Sequence, residues 1–296
     1  MSQLFLPGIC VPEKDKIVNV ASVPHRSPFR YPGGKTWLIP IVRTWLKSLE
    51  GSVVRLIEPF AGGGSVGLTA VFEQLVSHTT LIELDDQVAA VWQTILSDDV
   101  EWLISKIGDF DCTPEAVALE MERHPRSTRQ KAFQTILKNR TYYGGIITAG
   151  SAPMKYGENR KGINSRWYPK TLQYRLREIA LRRDQITFIQ GDGMEVMEKY
   201  SNRKDVAYFI DPPYTAAGKK AGRRLYNCFE LDHKHLFTVC AQIQGDFLMT
   251  YDDTDDIRDL VDRHHFDIRY VTMQNTHSLK MKELLINPNH KLSKKS

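Results

Sequence analysis

Seven short apolar runs punctuate the chain, at residues 53–57, 79–83, 186–189, 206–210, 247–251, 266–272 and 284–287. Each has the length of a strand rather than of a buried helix. Between many of them lie segments with apolar positions at helical spacing, including residues 65–76, 88–96 and 233–244. Strands alternating with helices predict an α/β architecture, a mainly parallel seven-stranded sheet covered by helices on both faces. The last two runs follow each other closely enough to pair as an antiparallel hairpin. Between residues 98 and 184 the alternation stops, and helical patterns and Gly-rich polar loops replace the strands. This stretch reads as an inserted, mostly helical domain spanning 98–184, with 1–97 and 185–296 forming the sheet domain.

Charge sharpens that division. From Arg123 to Arg183 there are fifteen Lys or Arg against two acids, a net +13 in a chain whose total is only +5. The remainder is therefore −8. A basic insert on an acidic body suits a polyanionic partner such as nucleic acid. No apolar run approaches the roughly 18 residues of a membrane span, and residues 1–12 lack the pattern of a signal peptide. These features place the protein in the cytoplasm. Cys10, Cys112, Cys228 and Cys240 are far apart and form no Cys-x-x-Cys pair, so neither a zinc site nor a disulfide framework is expected, and no metal.

Candidate chemistry gathers where strands end. Glu58-Pro59-Phe60-Ala61-Gly62-Gly63-Gly64-Ser65-Val66-Gly67 follows the first strand and opens a helix, and Glu83 closes the next strand. Glycines let a ligand approach the backbone, and a carboxylate about 20 residues on reaches ribose hydroxyls. Gly62, Gly64 and Gly67 also satisfy the G-x-G-x-x-G spacing, which keeps an NAD-dependent oxidoreductase as a rival. Glu58 would repel a pyrophosphate but suits an ammonium group. Residues 29–36 end like a phosphate-binding P-loop, yet Phe29 stands where that loop needs glycine. Asp211-Pro212-Pro213-Tyr214 follows the fourth strand and sets an acceptor, rigid backbone and an aromatic ring together, a grip for a planar amine. An ordinary strand-to-loop exit with a Pro-Pro turn has the same signature.

Taken jointly, these motifs resemble the D12 class of DNA adenine-N6 methyltransferases, the Dam-like members of the α group. Residues 29–35 are similar to its aromatic-x-Gly-Gly-Lys motif, residues 58–68 to its Gly-rich motif, and Asp211 to Tyr214 to its catalytic tetrapeptide. Weaker stretches at 247–252 and 282–286 agree. The resemblance implies a Rossmann-like class I methyltransferase that transfers a methyl from S-adenosylmethionine to N6 of a flipped-out adenine in double-stranded DNA, with residues 98–184 recognising the target. RNA adenine and DNA cytosine-N4 methylation, and an inactive DNA-binding protein of the same fold, stay open as alternatives.

The resemblance also distributes roles. Asp211, Pro212 and Tyr214 are the expected catalytic residues. Tyr31, Lys35, Glu58, Phe60, Ala61, Gly62, Glu83, Asp192 and Asp211 are expected at the cofactor. Asn139, Arg140, Tyr142, Tyr143, Asn164 and Arg166 in the insert, and Lys219, Lys220, Arg223, Arg224, Tyr226 and Asn227 after the tetrapeptide, are expected at DNA. A nucleoid-associated location follows from such a substrate. A cognate restriction nuclease, and monomer against weak dimer, are left open.

Overall fold

A strand buried on both faces must be apolar at every position. Val206–Ile210 is buried throughout, and it forms the middle of the sheet. The computed structural model describes residues 23–30, 34–148, 150–155, 157, 161–213, 231–274 and 280–289. Seven strands, β1 (Arg55–Glu58), β2 (His78–Glu83), β3 (Ile186–Gln190), β4 (Val206–Ile210), β5 (Asp246–Asp252), β6 (Asp267–Gln274) and β7 (Lys280–Asn287), pair in the order β3-β2-β1-β4-β5-β7-β6. The first five are mutually parallel. Strand β7 inserts antiparallel between β5 and β6, which completes the expected hairpin.

The strand order reverses between β1 and β4, because the chain moves outward to β2 and β3 before returning to β4. In open α/β sheets that reversal opens a crevice beyond the carboxyl ends of the strands. Period-two alternation sets the faces. Leu56, Ala207 and Phe209 join α1 (Ile39–Ser48) in one cluster, whereas Ile57, Tyr208 and Ile210 face α8 (Gly193–Tyr200), α9 (His233–Gln242) and α10 (Asp255–His264) on the other side.

The remaining helices are α2 (Ser65–Phe72), α3 (Asp86–Ile95), α4 (Val100–Asp109), α5 (Pro114–Glu122), α6 (Thr128–Thr141) and α7 (Pro169–Ala180). Within 98–184 the described residues add no strand to the sheet, as the lost alternation implied. Their apolar side chains do not make a core of their own. Leu103, Ile107, Phe133, Ile136, Leu172 and Leu176 share one continuous cluster with Leu68 of α2, Leu81 of β2 and Trp92 of α3. The basic helices are thus welded to the sheet through α3, and their position relative to the strand ends is fixed by packing. Among the described residues, no helix is long and apolar enough to cross a membrane.

Candidate active site at the carboxyl edge of the sheet

Where β1 ends, Glu58 is 3% exposed, and its Oε1 accepts from the Gly67 N–H at 2.7 Å. Its Oε2 has no hydrogen-bond partner. Burial, and further the negative charge of Asp211, push the carboxyl up to about 8 against the pull of the Gly67 and Val66 N–H groups. Two glycines permit this arrangement. A Cβ on Gly67 would lie 2.6 Å from Thr79 Oγ1, and Gly64, at φ 59°, has the Trp92 ring where its Cβ would stand.

Glu83, at the end of β2, ties the same loop from the other side. Its Oε2 accepts from Gly62 N–H and its Oε1 from Asp85 N–H, both at 2.9 Å, while Trp92 Nε1 donates to the Gly62 carbonyl. Burial of the carboxylate raises Glu83 to about 7. Each oxygen retains a second lone pair for a ligand. Ala61 N–H donates to the Ile82 carbonyl, and Phe60 packs partly buried against the α8–α10 side. Beyond β3, exposed Asp192 caps α8 by accepting from Met194 N–H at 2.8 Å. A Cβ on the following Gly193 would fall 2.1 Å from the Pro59 carbonyl, so the loops after β1 and β3 touch here.

Asp211 stands just past β4. Thr250 on neighbouring β5 donates to its Oδ1 at 2.7 Å, and Lys35 Nζ lies 3.1 Å from the same oxygen. Lys35 is 5% exposed and also lies 3.3 Å from Glu283 Oε2. Burial works against the ammonium, but Asp211 and Glu283 outweigh it and raise Lys35 above its ordinary value. At Glu283 the balance runs the other way. Burial pushes it up to about 7, because Lys35 is shared with Asp211, whose charge opposes a second carboxylate. Sequence reasoning gave Glu283 no role, and none to Thr250. Their signals were their places in the weaker family-like stretches 247–252 and 282–286, an acid inside an apolar strand and a hydroxyl beside Tyr251-Asp252.

The crevice thus brings together Lys35, Glu58, Phe60, Ala61, Gly62, Glu83, Asp192, Asp211 and buried Pro212. Lys35, expected at the cofactor, holds its ammonium between the carboxylates of Asp211 and Glu283. Tyr31, Tyr214, Lys219, Lys220, Arg223, Arg224, Tyr226 and Asn227 lie outside the described residues.

In the insert the expectations divide. Asn139 is 1% exposed, with Oδ1 accepting from Arg30 N–H and Nδ2 donating to the Arg30 and Gly145 carbonyls. That corrects its assignment to DNA: the amide is consumed by clamping backbone. Arg140 is 3% exposed and donates to the Pro28 carbonyl at 2.6 Å, so it cannot present its guanidinium to a base edge. Tyr142 ends α6 half-buried beneath the Lys138 ammonium. Tyr143 is 50% exposed, its hydroxyl accepting from Lys155 N–H. Asn164 is exposed and Arg166 half-buried on the single turn Ile163–Arg166.

The donor set fits S-adenosylmethionine. A buried carboxylate with an unpartnered oxygen beside a glycine cradle suits an ammonium, Glu83 a pair of hydroxyls, and the acidic strand ends a sulfonium.

Comparison with known proteins agrees. The Type II methyltransferase M.MjaIII of Methanocaldococcus jannaschii is 22% identical over 228 residues, covering 69% of this chain and 75% of that one. Solved structures are more loosely alike. The rRNA methyltransferase aviRa of Streptomyces viridochromogenes has 12% identity and a TM-score of 0.37, covering 87% of this chain and 86% of that one. Spermidine synthase of Thermotoga maritima has 13% identity and a TM-score of 0.36, over 95% and 62%. The family model for D12 class N6 adenine-specific DNA methyltransferases matches residues 31–277. The chain belongs to that family: it is an adenine-specific DNA methyltransferase that uses S-adenosylmethionine.

Proposed function

We propose that transfer takes place at the carboxyl ends of β1, β2 and β4, with Asp211, Pro212 and Tyr214 holding the target amine. The observation that carries this reading is the buried Lys35–Asp211–Glu283 cluster beside Glu58. When bound, S-adenosylmethionine supplies a methyl already activated on sulfur. Glu58 takes the ammonium of the cofactor, Glu83 its ribose hydroxyls and Asp192 its adenine amino group, while residues 60–62 line the methionine part. The family resemblance adds Tyr31 as a further cofactor contact.

The adenine amino group is a poor nucleophile, because its lone pair is delocalised into the ring. The Asp211 carboxylate and the Pro212 carbonyl accept its two N–H bonds and favour a more tetrahedral nitrogen. They also stabilise the positive charge that grows there during transfer. With Lys35 charged and both Asp211 and Glu283 ionised, the cluster carries a net −1. That sign opposes neither sulfonium nor a cationic amine. If Glu283 is protonated, the cluster sums to zero and the attraction is lost.

The target base is rotated out of the duplex to reach Asp211, with Tyr214 as its stacking surface. Residues 98–184 recognise the target. Tyr142, Tyr143, Asn164 and Arg166 are their candidates for DNA contact, joined by Lys219, Lys220, Arg223, Arg224, Tyr226 and Asn227. The protein works beside the nucleoid, as monomer or weak dimer, with or without a partner nuclease.

Methyl transfer to unmethylated duplex DNA tests the reading, with Asp211→Ala as the altered enzyme. A loss of activity of at least about 100-fold with cofactor binding kept is expected. An unaffected variant would remove Asp211 from the mechanism.

A further inference from the structure

Away from the transfer site, a second group of charges lies where residues 23–30 cross α6 and α7. Arg140 is buried there, and its Nε has no hydrogen-bond partner. Arg175 of α7 is half-buried and donates to the Ser27 carbonyl at 3.2 Å. His25 and Arg30 stand exposed beside them. Among the described residues, the charges acting on Arg140, Arg175 and His25 all belong to arginines. Burial, then Arg175 and Arg30, lowers Arg140 to about 9, and burial with the three arginines lowers His25.

Guanidinium groups seldom enter an interior without a carboxylate. Among the described residues the other deeply buried cation, Lys35, has two. At Arg140 and Arg175 the carbonyls of Pro28 and Ser27 supply dipoles but no countercharge. Among the described residues no carboxylate offsets these charges, so the electrostatic demand is for an anion, and guanidinium forks match a phosphate better than any other common oxyanion.

We infer that Arg175, flanked by His25 and Arg30 and backed by the buried charge of Arg140, binds a phosphate oxyanion. Asn139 supports the arrangement by fixing both backbone polar groups of Arg30. A phosphodiester of the DNA substrate is the source that the chain's geometry favours. Arg30 and Lys35 are five positions apart, so their Cα atoms are at most ~18 Å from each other, and Lys35 touches Asp211. The phosphate so held lies within a few nucleotides of the target base. This choice of source rests on the proposed catalytic edge, whereas free inorganic phosphate shares the chemistry without needing it.

Full-length Arg175→Gln and wild type are compared on duplexes carrying one neutral methylphosphonate at successive positions around the target adenine. Affinity for S-adenosylmethionine reports that the fold is kept. Wild type is expected to lose about tenfold in affinity at one position. The variant loses nothing there, and its log–log salt slope is shallower by about one. If every methylphosphonate duplex binds like the unmodified one, but inorganic phosphate raises the melting temperature of wild type and not of the variant, the site stands with the free ion as its ligand. If neither probe separates the two proteins, the inference is overturned. Should Arg175→Gln lose cofactor binding, His25→Gln, at an exposed position, replaces it with the same outcomes. Wild type that methylates DNA while neither probe separates it from the variant overturns the phosphate site alone. Wild type that methylates no duplex overturns the proposed function instead.

Discussion

Replacing Glu283 with Gln keeps the shape of the side chain and removes its charge. Lys35 Nζ is 3.1 Å from Asp211 and 3.3 Å from Glu283. With the amine donating to Asp211 Oδ1 at about 2.9 Å, the Glu283 carboxylate stands no more than ~9.3 Å from the reacting nitrogen. At an effective dielectric of about 20, a full charge there is worth about 2 kcal/mol, and a half-developed one about 1 kcal/mol. The expected fall in kcat is therefore about five- to tenfold, and cofactor affinity changes far less. The pH profile discriminates further. Burial places Glu283 at about 7, and its ionised form gives the cluster its negative sign, so wild-type kcat rises as pH increases through that region. Glu283→Gln loses this rise and keeps whatever Glu58 contributes near 8. Single-turnover rates from pH 5.5 to 9 read both. A variant with the wild-type profile and rate would refute the charge argument, and one with a lower rate but the same profile would reduce Glu283 to packing.

Glu58→Gln is expected to weaken S-adenosylmethionine at least about tenfold, through loss of the charged partner for its ammonium, as isothermal titration would measure. In stability the same change has a pH signature. The folded pKa of Glu58 is raised from 4.5 to about 8, so its contribution is fully present below the unfolded value and is lost as pH rises through the folded one. Melting temperatures of Glu58→Gln should thus gain on wild type between about pH 5 and 8; a constant offset would contradict this. Gly67→Ala forces a Cβ to 2.6 Å from Thr79 Oγ1 and 2.8 Å from Leu81 Cδ2. It should cost about 1–3 kcal/mol in urea unfolding, and wild-type stability would show that α2 shifts freely. Asn139→Ala removes three hydrogen bonds to backbone and should cost about 2–3 kcal/mol while the methylated sequence stays the same. A changed recognition sequence would return Asn139 to the DNA surface.

The sheet was legible because its strands are buried on both faces and so read as unbroken apolar runs. The acids at strand ends were legible for the complementary reason, standing where those runs stop. Asn139 and Arg140 were misread because a buried polar residue has the same one-letter signature as an exposed one. Only contacts 109 and 112 residues away, at Arg30 and Pro28, reveal the difference. The insert was read from lost strand–helix alternation and its charge, and neither shows that Phe133, Ile136 and Leu176 share a core with Trp92 of α3. Glu283 was given no individual role because its partner Lys35 stands 248 residues away in sequence.

That separation bears on when the enzyme can work. Lys35 and Glu283 are 248 residues apart, an interval of about 12–50 s of synthesis at ordinary elongation rates. Strand β7 must then slot between β5 and β6 before the pair can form. Until it does, the nascent protein holds a lysine lacking one of its two counterions and a sheet lacking its seventh strand. Methylation competence thus waits on β7, and a chain that has not yet reached it holds the Lys35 cluster incomplete.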